Sequence, residues 1–464
     1  MTPEEALSAT VAEIAPELKT GRLSPIALAE ASLARLDGLG RKLNAVANLT
    51  RERALAEARA ADNEIAAGRY RGPLHGVPYG VKDLLAAKGT PTTWGARPLL
   101  AQTFEEDATV IRRLHDAGAV LVGKLAMIEL AGGLGYSTAA ASATGPAKNP
   151  WKTDCWTCGS SSGSGAATAA GLVGFAIGSE TWGSIVCPSA FCGVSGLRPT
   201  YGLVPRTGAM ALSFTMDKIG PMARSAEDCE LVLSAIAGHD PADPASLPSA
   251  GGAPGATPDV RGMRLGLMRL DPTKGDAEVF EAFEAVVKLF ADEGLHLRDA
   301  KLPDLPFEAA ATVFITAEAV AAFEPLIASG KNRDLVDPAA HIAPETSKTV
   351  SGADYIRAMQ ARRIMQAEMD KLLDAYDVLV SPSMPYLATK LTANLEKTLA
   401  APDPLGAAGN LCGLPALSVP CGFSKSGLPI GVQLVSRPLA EAKVLAVGRF
   451  YQERTDWHRR RPVV

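Results

Sequence analysis

The sequence predicts an α/β protein, a sheet covered on both faces by helices. Between about 74 and 240, short apolar runs (Val77 to Val81, Val120 to Val122, Leu172 to Ile177) alternate with glycine- and serine-rich turns, the texture of strands bounded by breakers. Helical stretches such as Asp107 to Ala117 fall between them, and strands alternating with helices imply a largely parallel sheet buried on both sides. The chain has 464 residues, of which 47% are hydrophobic and 21% charged. That is enough apolar side chain for a large core in one big domain or two.

The elements follow in chain order. Ser24-Pro25 is a cap followed by proline at the first helical position, and Ile26, Leu28, Leu33 and Leu36 recur at helical spacing. Residues 5–67 therefore read as helices of an N-terminal layer, 1–70. Residues 72–240 hold the strand-rich core segment, and 241–262, dense in Pro, Gly and Ala, reads as a linker or surface loop. The segment 263–375 reads as peripheral and mostly helical, with a strand at 263–269, an amphipathic helix at 276–294 and further helices over 305–375. The run YDVLVSP (376–382) returns to a buried strand, and 410–436 reads as a strand and hairpin that end the sheet, so 376–464 closes the fold. No internal repeat is found, and one domain over 1–464 is the expectation.

A formal net charge of −4 gives no nucleic-acid footprint, and Arg459, Arg460 and Arg461 read as a solvated tail. The N-terminus carries acids at positions 4 and 5 and no signal pattern, so a cytoplasmic protein is expected. The apolar run from Ala166 to Gly178 is too short to cross ~30 Å of hydrocarbon. Seven cysteines, an odd number, argue for reduced thiols.

The densest chemical signal is G-S-S-S-G-S-G from Gly159 to Gly165, with Gly183-Ser184-Ile185 following downstream. Small residues concentrated in this way let backbone N–H groups point into a site. A phosphate loop would need Gly-Lys-Ser/Thr, and Gly165 is followed by Ala166 and Ala167. A nucleophile elbow would make Ser161 the nucleophile but needs an acid and a histidine. Only His239, His296, His341 and His458 lie downstream, none in a glycine-rich turn, and a surface position is expected for each. A turn used only for close packing is the third alternative.

The run from Gly159 to Pro199 strongly resembles the amidase signature family, and GPLHGVPYGVKDLLAAKGTPTTWGA (72–96) resembles that family's lysine segment. Further matches are LVGKLAMIEL (121–130), GPAKNPW (145–151), MDKIGPMARSAED (216–228), NLCGLPALSVPCGF (410–423) and TDWHRRRP (455–462). The resemblance implies a three-layer α/β/α fold with a mixed central sheet and peripheral helices. It makes Ser184 the acylated nucleophile, Ser160 a bridging serine usually found on a cis peptide, and Lys82 the terminal base. It also implies oxyanion donors at Thr181, Trp182, Gly183 and Ser184, and a substrate-facing loop at Gly132, Gly133 and Leu134. The chemistry stands on its own terms as well. A serine hydroxyl needs an adjacent base, and a lysine serves only if burial holds its amine neutral. Val77, Val81, Leu84 and Leu85 give Lys82 such a setting, the competing reading being a salt bridge to Asp83.

The chain departs from the family pattern. Where the family commonly has Asp-x-Gly-Gly-Ser-Ile-Arg, it has Glu180-Thr181-Trp182-Gly183-Ser184-Ile185-Val186, and Cys158 and Ser162 stand where glycines are usual. An indole at 182 is expected to line the acyl pocket, and the loss of arginine at 186 leaves Glu180 without its usual partner. Cys155-Trp156-Thr157-Cys158 lacks a second metal-ligating pair, which argues against zinc or redox duty. The expected function is hydrolysis of carboxylic amides, with aryl amides, anilides, carbamates or urethanes favoured, by a monomer or homodimer with no metal or organic cofactor. Its expected partner is a small-molecule amide or carbamate, with no nucleic acid and no membrane span. The alternatives are a glutaminase-type subunit of an amidotransferase complex and a silent family member.

Overall fold

A computed structural model describes residues 1–248, 258–398, 403 and 405–464; the middle of the linker read at 241–262 lies outside the described residues. The strands in chain order are β1 Val46–Leu49, β2 Pro78–Lys82, β3 Val120–Leu125, β4 Lys148–Asn149, β5 Lys152–Trp156, β6 Phe175–Glu180, β7 Ser195–Arg198, β8 Lys218–Ala223, β9 Arg264–Met268, β10 His296–Ala300, β11 Val378–Pro382, β12 Ala416–Phe423 and β13 Pro429–Val435. Eleven of these form one sheet in the order β1-β3-β2-β6-β8-β7-β12-β13-β11-β9-β10, while β4 and β5 pair separately. Helices cover the sheet in a three-layer α/β/α arrangement.

The sheet is mixed, and the largely parallel reading of 74–240 is corrected. Only β3-β2-β6 runs parallel there, with β1, β7 and β8 antiparallel to their neighbours. The reason is connectivity. Parallel neighbours need a crossover helix, and helices Thr109–Asp116 and Ser162–Ala169 each precede a strand that joins this trio. The segment 5–67 is not wholly helical, because β1 lies within it as the edge strand against β3. Segment 263–375 is less peripheral than expected, since β9 and β10 complete the far edge of the sheet.

Strand register places the lysine. Tyr79 of β2 lies opposite Phe175 of β6, and their rings stack at 5.2 Å between centroids. Such cross-strand pairs fix alignment. The alignment carries Lys82, last residue of β2, to the level at which β6 ends in Ser179 and Glu180. No helix among the described residues is long and apolar enough to cross a membrane.

Candidate active site

The carboxyl ends of β2 and β6 meet the starts of helices Ser162–Ala169 and Val186–Cys192. Crevices at the carboxyl ends of parallel strands are where open α/β sheets bind ligands. Gly178 makes the junction possible. A Cβ there would sit 2.9 Å from the Ser161 Oγ, so only glycine lets the serine loop lie flat on β6. Gly163 is tighter still, its Cβ position being 2.4 Å from the backbone of Ala126 and of Ala45.

Lys82, Ser160 and Ser184 are brought together. The Lys82 Nζ donates to Ser160 Oγ at 2.6 Å, and Ser160 Oγ donates to Ser184 Oγ at 3.0 Å. The peptide bond between Gly159 and Ser160 is cis. Ser179, which the sequence did not single out, accepts from the same Nζ through its hydroxyl at 2.9 Å. Lys82 is fully buried; burial pulls its pKa from 10.5 to about 7, against the opposing charges of Asp217 and Glu180. The competing salt bridge from Lys82 to Asp83 does not form, because Asp83 pairs instead with Lys124 at 2.9 Å.

Ser161 donates to the Ser179 carbonyl and accepts the Ser179 N–H, which ties the loop to β6. It has no histidine partner. His239, His296 and His341 are exposed, but His458 is buried, so the surface expectation fails for it; burial lowers its pKa to about 4. The neighbouring Arg461 is not a solvated tail residue either, since its guanidinium donates to the Ser8 carbonyl.

The loop 181–184 is aimed by Glu180. That buried carboxylate accepts the N–H groups of Ile185 and Val186 at 2.8 and 3.0 Å through one oxygen. Its other oxygen accepts from Arg198 Nη1 at 2.8 Å and Asn410 Nδ2 at 3.0 Å. Arg198 therefore takes the place of the arginine missing at 186. Both replacements sit inside motifs legible in the sequence, but only the fold brings them to Glu180. Burial would raise the Glu180 pKa, yet Arg198 and the donated N–H groups bring it down from 4.5 to about 2. The resulting stabilisation, ~3 kcal/mol, is present above pH ~4.5 and is lost as pH falls toward ~2. Glu180→Gln leaves Arg198 buried and uncompensated, so a loss of about 3–5 kcal/mol, read as a lower Tm, is expected.

Among the described residues, the N–H groups of Thr181, Trp182, Gly183 and Ser184 donate to no protein acceptor. The left-handed position in this loop is Gly183, at φ +80°, and not Trp182. The indole is half-buried. It packs against the apolar layer that includes Phe307 and Leu405, and it also lines a cavity of about 390 Å³ that reaches Ser184.

Gly132 lines that cavity too, with Tyr136, Leu212, Met384 and Tyr386. Gly133 and Leu134 do not join it. Gly133 donates to Leu130 O, and a Cβ there would meet Phe323, Ala319 and Leu212, while Leu134 is buried in the main core. The polar lining includes two acids that the sequence did not single out, Glu308 and Asp403. Asp403 is buried; Gln433 and the Leu405 N–H donate to its Oδ1, and its Oδ2 has no partner among the described residues. Burial raises its pKa to about 6. Among the described residues that line the cavity there is no Lys, Arg or His.

Cys158 and Cys187 are joined as a disulfide, which corrects the expectation of seven reduced thiols. Cys155 is free, so the C-x-x-C pair is not formed. The bond arises because β6 and the two short helices bring the segment before Ser160 against the segment after Ser184, a proximity that sequence spacing does not reveal.

A model of the family described as Amidase matches residues 27–445. The chain belongs to the amidase family. The A subunit of glutamyl-tRNA(Gln) amidotransferase from Chloroflexus aggregans is 38% identical over 481 residues, covering 98% of each chain. The protein of the same name from Moorella thermoacetica is 37% identical, again over 98% of each. Among solved structures, native peptide amidase from Stenotrophomonas maltophilia matches this amidase-family chain with a TM-score of 0.86 at 33% identity over 98% of each. The A subunit of glutamyl-tRNA(Gln) amidotransferase from Thermotoga maritima matches with a TM-score of 0.76 at 29% identity, over 97% of this chain and 93% of that one.

Proposed function

We propose that this amidase-family hydrolase cleaves carboxylic amides through an acyl-enzyme on Ser184. The observation that carries the reading is the hydrogen-bonded chain from a buried, readily neutralised Lys82 through Ser160 to Ser184. With the amine neutral, the two hydroxyls rotate so that Ser184 donates to Ser160 and Ser160 donates to Nζ. Ser184 then attacks the carbonyl carbon while its proton passes along the relay. Ser160 returns a proton to the departing nitrogen, and water activated by the same relay releases the acid. The N–H groups of the 181–184 loop, held by Glu180, are the candidate donors for the developing oxyanion; losing one such donor costs about 10²- to 10³-fold in rate.

Cavity chemistry narrows the substrate. Two carboxyls and several aromatic or apolar side chains suit neutral or cationic groups flanking the amide. Aryl amides, anilides and carbamates fit that description. A glutaminase-type subunit of an amidotransferase complex is the second reading, supported by the names of the curated relatives. Free glutamine would bring a carboxylate to a cavity whose described lining has no cation to receive it. Measuring kcat/KM on free glutamine, a peptide amide, a p-nitroanilide and an aryl carbamate separates the two. A preference for glutamine, rising when a second subunit is added, would overturn the first reading.

Trp182 provides a sharper probe of the same cavity. Trp182→Gly should shift the preference between an aryl amide and a small aliphatic amide by about tenfold to a hundredfold, since an indole wall contributes ~1.5–3 kcal/mol of apolar contact. An unchanged ratio in a variant with a lowered Tm would mean that the indole serves only to pack against the apolar layer behind the loop.

A further inference from the structure

The disulfide lies within the substrate cavity. Cys158 stands two residues before Ser160 and Cys187 three after Ser184, and both line the cavity that the nucleophile faces. The bond therefore ties together covalently, across 29 residues of chain, two serine segments that are also linked by the Ser160–Ser184 contact, a long Ser161 N–H bond to the Ser184 carbonyl at 3.4 Å and a Cys192 thiol contact to the Thr157 carbonyl. The remaining five cysteines are buried and unpaired, and burial raises the thiols of Cys155, Cys192, Cys229, Cys412 and Cys421. Cys158 and Cys187 are as buried as the others, at 3% exposure each, and differ from them in being bonded and in lining the cavity that reaches Ser184.

We propose that Cys158–Cys187 is a thiol–disulfide exchange site whose substrate is a low-molecular-weight thiol entering through the amide-binding cavity, and that its opening slows the hydrolase. The thiolate of the small thiol attacks one protein sulfur, forming a mixed disulfide, and the other sulfur leaves and takes a proton. A second small thiol resolves the mixed disulfide. Two small thiols are oxidised to one small disulfide, and the protein gains two thiols, a balanced two-electron exchange. Once unbonded, the sulfurs repel to van der Waals separation and the two serine segments move apart. A displacement of about 1 Å in a reacting group costs on the order of 10²-fold in rate. Because helices Ser162–Ala169 and Val186–Cys192 still pack together, the expected loss is tenfold to a hundredfold, and it reverses on reoxidation. The slowing rests on the proposed hydrolase function; the exchange itself does not.

The test uses the full-length protein purified without reductant. Peptide mapping by differential alkylation, before and after 2-mercaptoethanol, a small neutral thiol, under native conditions, reads Cys158 and Cys187. The rate of Ser184 labelling by a fluorophosphonate probe and kcat/KM on an amide are measured on the same samples. The expected result is a bond present at the start, opened by 2-mercaptoethanol in the folded protein, with labelling slowed tenfold to a hundredfold and restored by its neutral disulfide, hydroxyethyl disulfide. A Cys158→Ser/Cys187→Ser double variant should be slow and indifferent to either reagent; if that variant does not fold, the reversible cycle in the wild type decides the same question. The proposal is overturned by free thiols at both positions in the untreated protein, by a bond that opens only on unfolding, or by unchanged labelling after opening. Absence of Ser184 labelling in both redox states sinks the hydrolase reading and the slowing with it, leaving the mapping to decide the exchange.

Discussion

Ser184→Ala is expected to lower kcat/KM by about 10⁶-fold, the scale on which a serine hydrolase loses its nucleophile, with no large change in Tm. The alanine removes only the last member of the relay, at the rim of the cavity, and leaves Glu180 holding the loop through Ile185 and Val186. Mass spectrometry should find the acyl or fluorophosphonate adduct on Ser184 in the wild type and on no residue in the variant. An adduct on Ser161 would overturn the assignment, because that hydroxyl is engaged with Ser179 on both its donor and acceptor sides. Single replacement of His239, His296 or His341 by alanine should leave most activity, since none lines the cavity; a loss near 10³-fold in a folded variant would point to a histidine triad.

The parts legible in the sequence are those fixed by local patterning. Strand β2 and the serine loop announce themselves through apolar runs and glycine density, and Lys82, Ser160 and Ser184 follow from the resemblance carried by those same segments. What stayed hidden depends on contacts between segments far apart in the chain. Arg198 and Asn410 reach Glu180 from 18 and 230 residues away, and no periodicity encodes that. Asp403 stands between two prolines in an alanine-rich stretch with no periodic pattern, and only the fold sets it beside Gln433. The four residues of β1 are too few for period two to declare itself, so the helical pattern on either side masked them. Cys187 reads as an ordinary small buried residue until the helix that holds it is set against the segment containing Cys158.

Lys82 should govern both the rate and the pH dependence of stability. Because the neutral amine is the base, kcat/KM should rise with pH through about 7 and level off on the alkaline side. Lys82→Ala should lower the plateau by at least ~10³-fold, the scale of a lost proton-relay partner, and flatten the profile. Lys82→Arg should not restore it, since a guanidinium stays protonated at every accessible pH. Stability runs in the same window. The amine titrates at about 7 when folded against 10.5 unfolded, so between those values the unfolded chain holds a proton the folded chain lacks, and stability climbs as pH rises. Below ~7 both states are protonated, and the cost of the buried charge is at its full ~5 kcal/mol, one unit being 1.36 kcal/mol. Lys82→Met removes that cost but leaves the Ser160 and Ser179 hydroxyls without their partner, at ~1–3 kcal/mol each. The variant should therefore show a flatter dependence of Tm on pH than the wild type, with its relative stability greatest near neutrality and declining toward pH ~10. Parallel Tm curves for the two proteins, or a wild-type rate that is flat from about pH 6 to 9, would mean that Lys82 stays charged in the fold and that the proton leaves Ser184 by another route.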